Sequence, residues 1–300
     1  MTECPICGAR TSARLPYPGR KAGAAIRFDA IELCERCGTG TASPRPDQAA
    51  LDRFYASGAY WHDSSGPRQM AHEASQAWRR VRCVKQVTKR DALAVADVGA
   101  GHGGIARALA GQYMRVSRYA FVEPDRQAAE SIEALQLPFP VLRAGSLSGL
   151  RGPFDLLFLN HVLEHVADPV QFLASAMSQV AAGGIVYVET PHADHRFKDD
   201  VFPHVSFFTT KALSLIGERL GVRTHLCEAF GRLPAPRLHP VGLVQRLAAR
   251  ALPLMAGWNR AQRLLDGILW RYAPTADGVW LRWIFSAADQ TRQAVGTKAR

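Results

Sequence analysis

The 300-residue chain has no apolar stretch long enough to span a bilayer, and its first residues lack a charged segment followed by an apolar run. Neither a membrane span nor a signal peptide is expected, and the cytoplasm is the expected location. Cysteine is scarce: there are six, and four of them fall in two short clusters. Acidic residues are also in deficit, 26 against 37 Lys and Arg, for a formal net charge of +11. No nucleic-acid-reading motif accompanies that charge, so specific nucleic-acid binding is not expected. What remains is a globular composition, 47% hydrophobic, with length enough for a sizeable core and more than one module.

The clustered cysteines are Cys4 and Cys7, followed by Gly8, and Cys34 and Cys37, followed by Gly38. Two C-x-x-C-G knuckles separated by 26 residues read as a zinc ribbon over 1–46, each pair gripping one ion from a tight turn. Four thiolates close a tetrahedral site with no open position, so the expected role is structural. Disulfide pairing is the lesser alternative in a cytoplasmic protein. Cys83 and Cys227 lie in apolar patterns and read as buried thiols.

Val95 to Gly104 organises the rest: a buried strand, a glycine-rich turn, then helical spacing from Ile105. Gly99, Gly101 and Gly103 let the backbone approach a ligand, and the following helix N-terminus offers free N–H groups and positive dipole. Gly99, Gly101 and Gly104 also satisfy the G-x-G-x-x-G pattern of a dinucleotide site. Asp97, two residues before the first glycine, argues against that alternative, and the acid ending the next strand is Glu123 in Phe121-Val122-Glu123-Pro124-Asp125.

With these residues the chain resembles the class I S-adenosylmethionine-dependent methyltransferases over about residues 92 to 230. The blocks Phe154 to Pro169 and Ala182 to Pro191 match that family's fourth and fifth strands. The resemblance implies a doubly wound Rossmann-like α/β sheet over 92–230 that binds S-adenosylmethionine. It makes Asp97, Gly99, Ala100, Gly101, Gly103, Glu123, Pro124, Ser146, Leu147 and Asn160 the cofactor-binding set. Glu123 would take both ribose hydroxyls, and Ser146-Leu147 would lie beside adenine.

His161, Glu164 and His165 spell H-x-x-E-H, but no long zinc-peptidase helix is expected where the segment meets Asp168-Pro169. The ubiquinone-biosynthesis O-methyltransferases carry Glu-x-x-Glu-His at this point, and the resemblance there implies a divalent ion. His161 stands in place of the first glutamate, so a hard ion would be held less well and no metal is expected. The stretch from Val201 to Thr210 resembles the family's H-x-x-F-F/Y-T/S segment. His204 is the leading candidate for an active-site base, with His165 and His192 behind it. Thr209 or Thr210 should cap a helix over 211–220.

Residues 47–91 read as helices linking the ribbon to the sheet, with Tyr60 and Trp61 as candidate lid residues. From Gly231 onward eleven Lys or Arg face three Asp, and Trp258, Trp270, Trp280 and Trp283 are four of the six tryptophans. This reads as a basic helical extension over 231–300, acting as a packed cap, a dimer surface or a peripheral contact with the inner membrane. The expected activity is methyl transfer to oxygen or carbon of a small-molecule or glycan-type acceptor. A cofactor-binding scaffold is the alternative, and a dehydrogenase ranks third.

Overall fold

The computed structural model describes residues 2–19, 24–57, 67–88, 90, 92–112, 114–231, 243–244, 247, 264 and 274–287. The lid candidates Tyr60 and Trp61 fall outside these residues, as does most of the stretch 232–273 with Trp258 and Trp270. The membrane contact expected of that stretch falls outside them too.

Three short strands, β1 (Ala13–Pro16), β2 (Ala30–Leu33) and β3 (Gly40–Ser43), form an antiparallel meander around the cysteine knuckles. Helix α1 (Gln48–Ala56) follows, capped by Asp47, whose carboxylate takes the Ala50 N–H at 2.6 Å. Helix α2 (Pro67–Lys85) buries Ala77, Val81 and Val84 on one side. Ala74, three residues before Ala77, is exposed, and Trp78 is half-buried. The covered side is instead shared with polar Ser75, Gln76 and Arg80.

The sheet alternates from there: β4 (Leu93–Val98), α3 (Gly104–Gly111), β5 (Val116–Val122), α4 (Arg126–Glu133), β6 (Val141–Ala144), β7 (Phe154–Asn160), α5 (Pro169–Met177) and β8 (Val180–Pro191). A two-residue β9 (Ser206–Phe207), which lies outside this sheet, then α6 (Thr210–Leu220), β10 (Val222–Phe230) and β11 (Trp280–Ala287) follow. Every residue of β4 is buried, because the strand has a layer on each side: Leu93 and Val95 pack toward α2 and α3, while Ala94, Ala96 and Val98 pack toward α5 and α6. The large sheet runs β10-β11-β8-β7-β4-β5-β6, with β11 antiparallel to both of its neighbours. It is therefore mixed, and its carboxyl-end crevice opens between β4 and its neighbours.

Two expectations need correction. Residues 280–287 do not belong to a helical extension: they are an inner strand, with Trp283 fully buried, stacked on Phe285 at 4.1 Å and donating its indole N–H to Thr224 at 3.1 Å. Arginine and tryptophan read as a surface pattern, but Arg282 is only 12% exposed and is paired with partners from other strands. The ribbon, in turn, is not a separate module. β9 is the fourth strand of its sheet, through Gly40 opposite Phe207 and Thr41 opposite Ser206.

Truncation after Gly231 would remove β11 from between β8 and β10, stranding both edges and opening a cavity where Trp283 sits. Such a chain should fail to give a cooperative thermal transition. Since Phe230 lies opposite Trp280, replacing 232–277 with a short glycine-containing hairpin linker should preserve that transition. A well-folded truncation at 231 would contradict the place given to β11.

Candidate active site

The cofactor half of the site grows out of β4. Gly99, Gly101 and Gly103 all adopt left-handed backbone, with φ of 71°, 53° and 76°. At Gly99 the space is closed as well, since a Cβ there would come within 2.5 Å of Val162 Cγ2. Gly103 starts α3 without a side-chain cap, which leaves first-turn N–H groups to a ligand. The turn is fastened to the next strand: Gly99 and Ala100 donate to the Val122 carbonyl at 2.8 and 3.2 Å. Glu123 accepts the Gly101 N–H at 2.8 Å and the Asp125 N–H at 2.9 Å, so its carboxylate is locked against the glycine turn.

Asp97 is 1% exposed, and its Oδ2 accepts the Tyr119 hydroxyl at 2.6 Å. Its Oδ1 is buried without a hydrogen-bond partner among the described residues, and so is the Asn160 Oδ1. These orphans stand at the carboxyl ends of adjacent strands, because Val98 is opposite Leu159. Buried acceptors of this kind call for a polar ligand. Burial pushes the Asp97 carboxyl up to about 7, against the Tyr119 hydrogen bond and the Arg80 charge. Pro124 is exposed beyond Glu123. Ser146 is spent on its own turn, taking the Gly149 N–H at 3.2 Å, and Leu147 packs against the core.

A second group of candidate site residues follows β7. Val162, against Gly99, leads into one tight helical turn, Leu163–His165. Glu164 is buried there, with Oε1 3.2 Å from His161 Nδ1 and Oε2 accepting the Thr190 hydroxyl at 3.0 Å. His165 Nδ1 lies 2.7 Å from the Tyr55 hydroxyl, and its ring meets that of His204 at 4.8 Å. His204 Nδ1 lies 3.2 Å from Asp194 Oδ2, which also takes Lys198 Nζ at 2.8 Å. Burial holds His165 neutral, down to about 3, despite Glu164 beside it. Burial would raise Asp194, but the His204 hydrogen bond and the His204 and Lys198 charges keep it well below the usual carboxylate range.

Of the three candidate histidines, His165 and His204 are brought together. His192 is engaged elsewhere: it bridges to Phe208 through backbone and sets Nδ1 2.7 Å from the Gly278 carbonyl, as a strut at the start of β11. Asp194 and Tyr55 were missed by the sequence reading. Asp194 sits ten residues before its histidine, and Tyr55 110 residues before His165, so only the fold reveals either pairing. One ligand atom each from Glu164, His165 and His204 lie within 4.8 Å of one another, a set able to hold a metal ion. The expectation of no metal rested on His161, which instead pairs with Glu164; the third donor comes from His204.

The four knuckle sulfurs form a second such set. Cys4 and Cys37 Sγ are 3.5 Å apart, as are Cys7 and Cys34. That is too far for a disulfide, whose bond is about 2.05 Å. It is near the ~3.8 Å edge of a tetrahedron with Zn–S bonds of about 2.3 Å.

Residues 68–225 match the family model described as a methyltransferase domain. The chain belongs to that family. The domain is that of a class I S-adenosylmethionine-dependent methyltransferase, which sets the dehydrogenase alternative aside. Among curated relatives, a ubiquinone biosynthesis O-methyltransferase of Caulobacter sp. (strain K31) is 29% identical over 170 residues, 51% of this chain and 68% of that protein. One of Xylella fastidiosa (strain 9a5c) is 26% identical over 155 residues, 48% of this chain and 59% of that one. The chain thus spans about three-fifths to two-thirds of these relatives. In fold it is similar to a chain from the complex of the Haloferax volcanii Trm112 methyltransferase activator with a methyltransferase, at a TM-score of 0.51 and 15% identity, covering 82% of this chain and 99% of that one.

Two measurements test this methyltransferase cofactor half. Glu123→Ala should weaken S-adenosylhomocysteine binding by roughly 1.5–3 kcal/mol, the worth of hydrogen bonds to a charged group; undiminished binding would remove Glu123 from the site. Asp97 is protonated below about 7 and ionised above it. An ammonium group held at its free oxygen binds the ionised form better, so affinity should rise as pH passes upward through that value and be flat in Asp97→Asn. A flat native profile would dissociate Asp97 from the cofactor.

Proposed function

We propose that this protein transfers a methyl group from S-adenosylmethionine to a hydroxyl of a small acceptor, with His204 as the proton acceptor. The observation that carries this reading is the Asp194–His204 pair, a buried imidazole backed by a carboxylate at 3.2 Å and set beside the turn that touches the glycine loop. The cofactor, when bound, supplies a methyl already activated on a sulfonium. The chain's residues then have three tasks: to hold the cofactor at Asp97, Gly101 and Glu123, to orient a hydroxyl, and to remove its proton. Asp194 fixes the ring orientation and stabilises the positive charge that His204 acquires. His165, kept neutral by burial, and Tyr55 close the far side. The O-methyltransferase relatives favour oxygen over carbon, and a small acceptor over the glycan type expected from the ribbon. The scaffold alternative gives the buried base no task.

A second reading has its own observation. His165 and His204 each have Nδ1 held by a neighbour, Tyr55 or Asp194, as the outer hydrogen bonds of metal-bound histidines are. In that reading Glu164, His165 and His204 hold a divalent ion that lowers the acceptor's proton affinity. At Cys4, Cys7, Cys34 and Cys37 the sulfur spacing supports a structural zinc ion.

Labelled-methyl transfer to a panel of phenols, catechols and other small alcohols tests the chemistry. His204→Ala should cut turnover by on the order of 10²–10⁴ with cofactor affinity intact, and Asp194→Asn by less. Normal turnover in His204→Ala would end the base reading. Metal analysis separates the two readings: one zinc per chain, lost in Cys34→Ser, fits the base, whereas a further equivalent lost in Glu164→Ala fits the ion.

A further inference from the structure

The loop bearing His204 hangs from the cysteine ribbon. Three residues past Cys37, β3 pairs with β9, and the Ala42 N–H donates to the Val205 carbonyl at 2.8 Å. Tyr17 places its hydroxyl between two carbonyls of the loop, 2.8 Å from that of His204 and 3.1 Å from that of Val201. Its ring packs on Phe28 and Phe207, at 4.9 and 6.1 Å. At the end of the loop, the Thr209 hydroxyl donates to the Cys37 carbonyl at 2.7 Å while capping α6 through the Ala212 N–H. Arg219, in the last turn of α6, reaches back to the Pro5 carbonyl at 3.2 Å.

The ribbon is small for such a load. Its strands β1 to β3 are four residues each and β9 is two. A sheet of that size needs a staple to hold its shape. Four thiolates around one ion are the staple on hand, and they lie at the base of β3 and against α6. The cofactor half stands on other supports, the backbone bonds among β4, β5 and β7.

We propose that the Cys4, Cys7, Cys34 and Cys37 centre is a positioning device for the acceptor half: its metal holds residues 201–209, and with them His204, in place, while the cofactor half stands without it. Tyr17 is the positioning residue that passes the ribbon's order to the His204 backbone. The inference rests on the reading of the His204 side as the acceptor face.

Hydrogen exchange and S-adenosylhomocysteine binding test it without knowledge of the acceptor. Zinc-loaded native protein, zinc-loaded Tyr17→Phe and Cys34→Ser are compared, the last in place of a chelator so that any ion at Glu164 is left alone. In Cys34→Ser, exchange across 40–43 and 201–209 should accelerate by about tenfold or more, while 93–98 stays protected and cofactor affinity is retained. Tyr17→Phe should keep its zinc and loosen 201–206 alone. Native-like protection of 201–209 in Cys34→Ser would overturn the proposal. So would joint loss of 93–98 protection and cofactor binding, which would make the centre a support of the whole fold, or a native protein that takes up no metal at the cysteines. His204→Ala with normal turnover would end the base reading and leave these exchange results unchanged, so the two failures are separable.

Discussion

The domain is locked by one buried carboxylate, Glu189 on β8. Arg80 from α2 donates to it twice, at 2.9 and 2.5 Å, and the Tyr187 hydroxyl donates to its other oxygen at 2.7 Å. Arg282 from β11 lies 4.0 Å away, stacks on Phe230 at 4.1 Å, and reaches Glu228 on β10 at 3.3 Å. Burial alone would raise Glu189, but Arg80 and Arg282 hold it down at about 2. Losing one partner would leave a buried charge uncompensated, at a cost of several kcal/mol. The helix that precedes the first strand and the strand that closes the sheet are thereby committed to the same middle strand.

That commitment explains how the chain tolerates the long stretch between β10 and β11. Phe230 and Trp280 face each other across the strand pair although 49 residues separate them. Loop closure costs only about (3/2)RT ln n, so a longer excursion is cheap once both ends are fixed. Glu228 and Arg282 fix them from within the ladder, and Gly278 and His192 do so at its mouth. Phe230 and Trp280 both lie at the carboxyl end of the sheet, where Trp280 is also opposite Pro191 of β8.

Legibility in the sequence followed the range of the interactions. The order of strands from β4 to β8 is written in local periodicity, and the glycine turn, Asp97 and Glu123 lie within 27 residues of one another. Asp168 and Thr209 show their capping roles in the same local way, each taking N–H groups two or three residues ahead. β11 was misread because Arg282 between two tryptophans looks like a surface pattern, and what makes an arginine acceptable inside is a partner on another element. Arg80 was passed over on α2 for the same reason. Asp194 lies two residues after His192, yet nothing local distinguishes a carboxylate that backs His204 from one that is solvated.

The two halves of the site are therefore supported differently. Cofactor groups are held by backbone within a strand-turn-helix unit, where the conformations of Gly99, Gly101 and Gly103 leave few alternatives. The groups around His204 and His165 are held by side chains across the fold: Tyr17 to His204 spans 187 positions and Tyr55 to His165 spans 110. Support of the first kind survives changes elsewhere, because its hydrogen bonds are short in sequence and form with the strand itself. Support of the second kind depends on several elements arriving together, and Tyr17, Tyr55 and Thr209 can each be changed without touching the glycine turn.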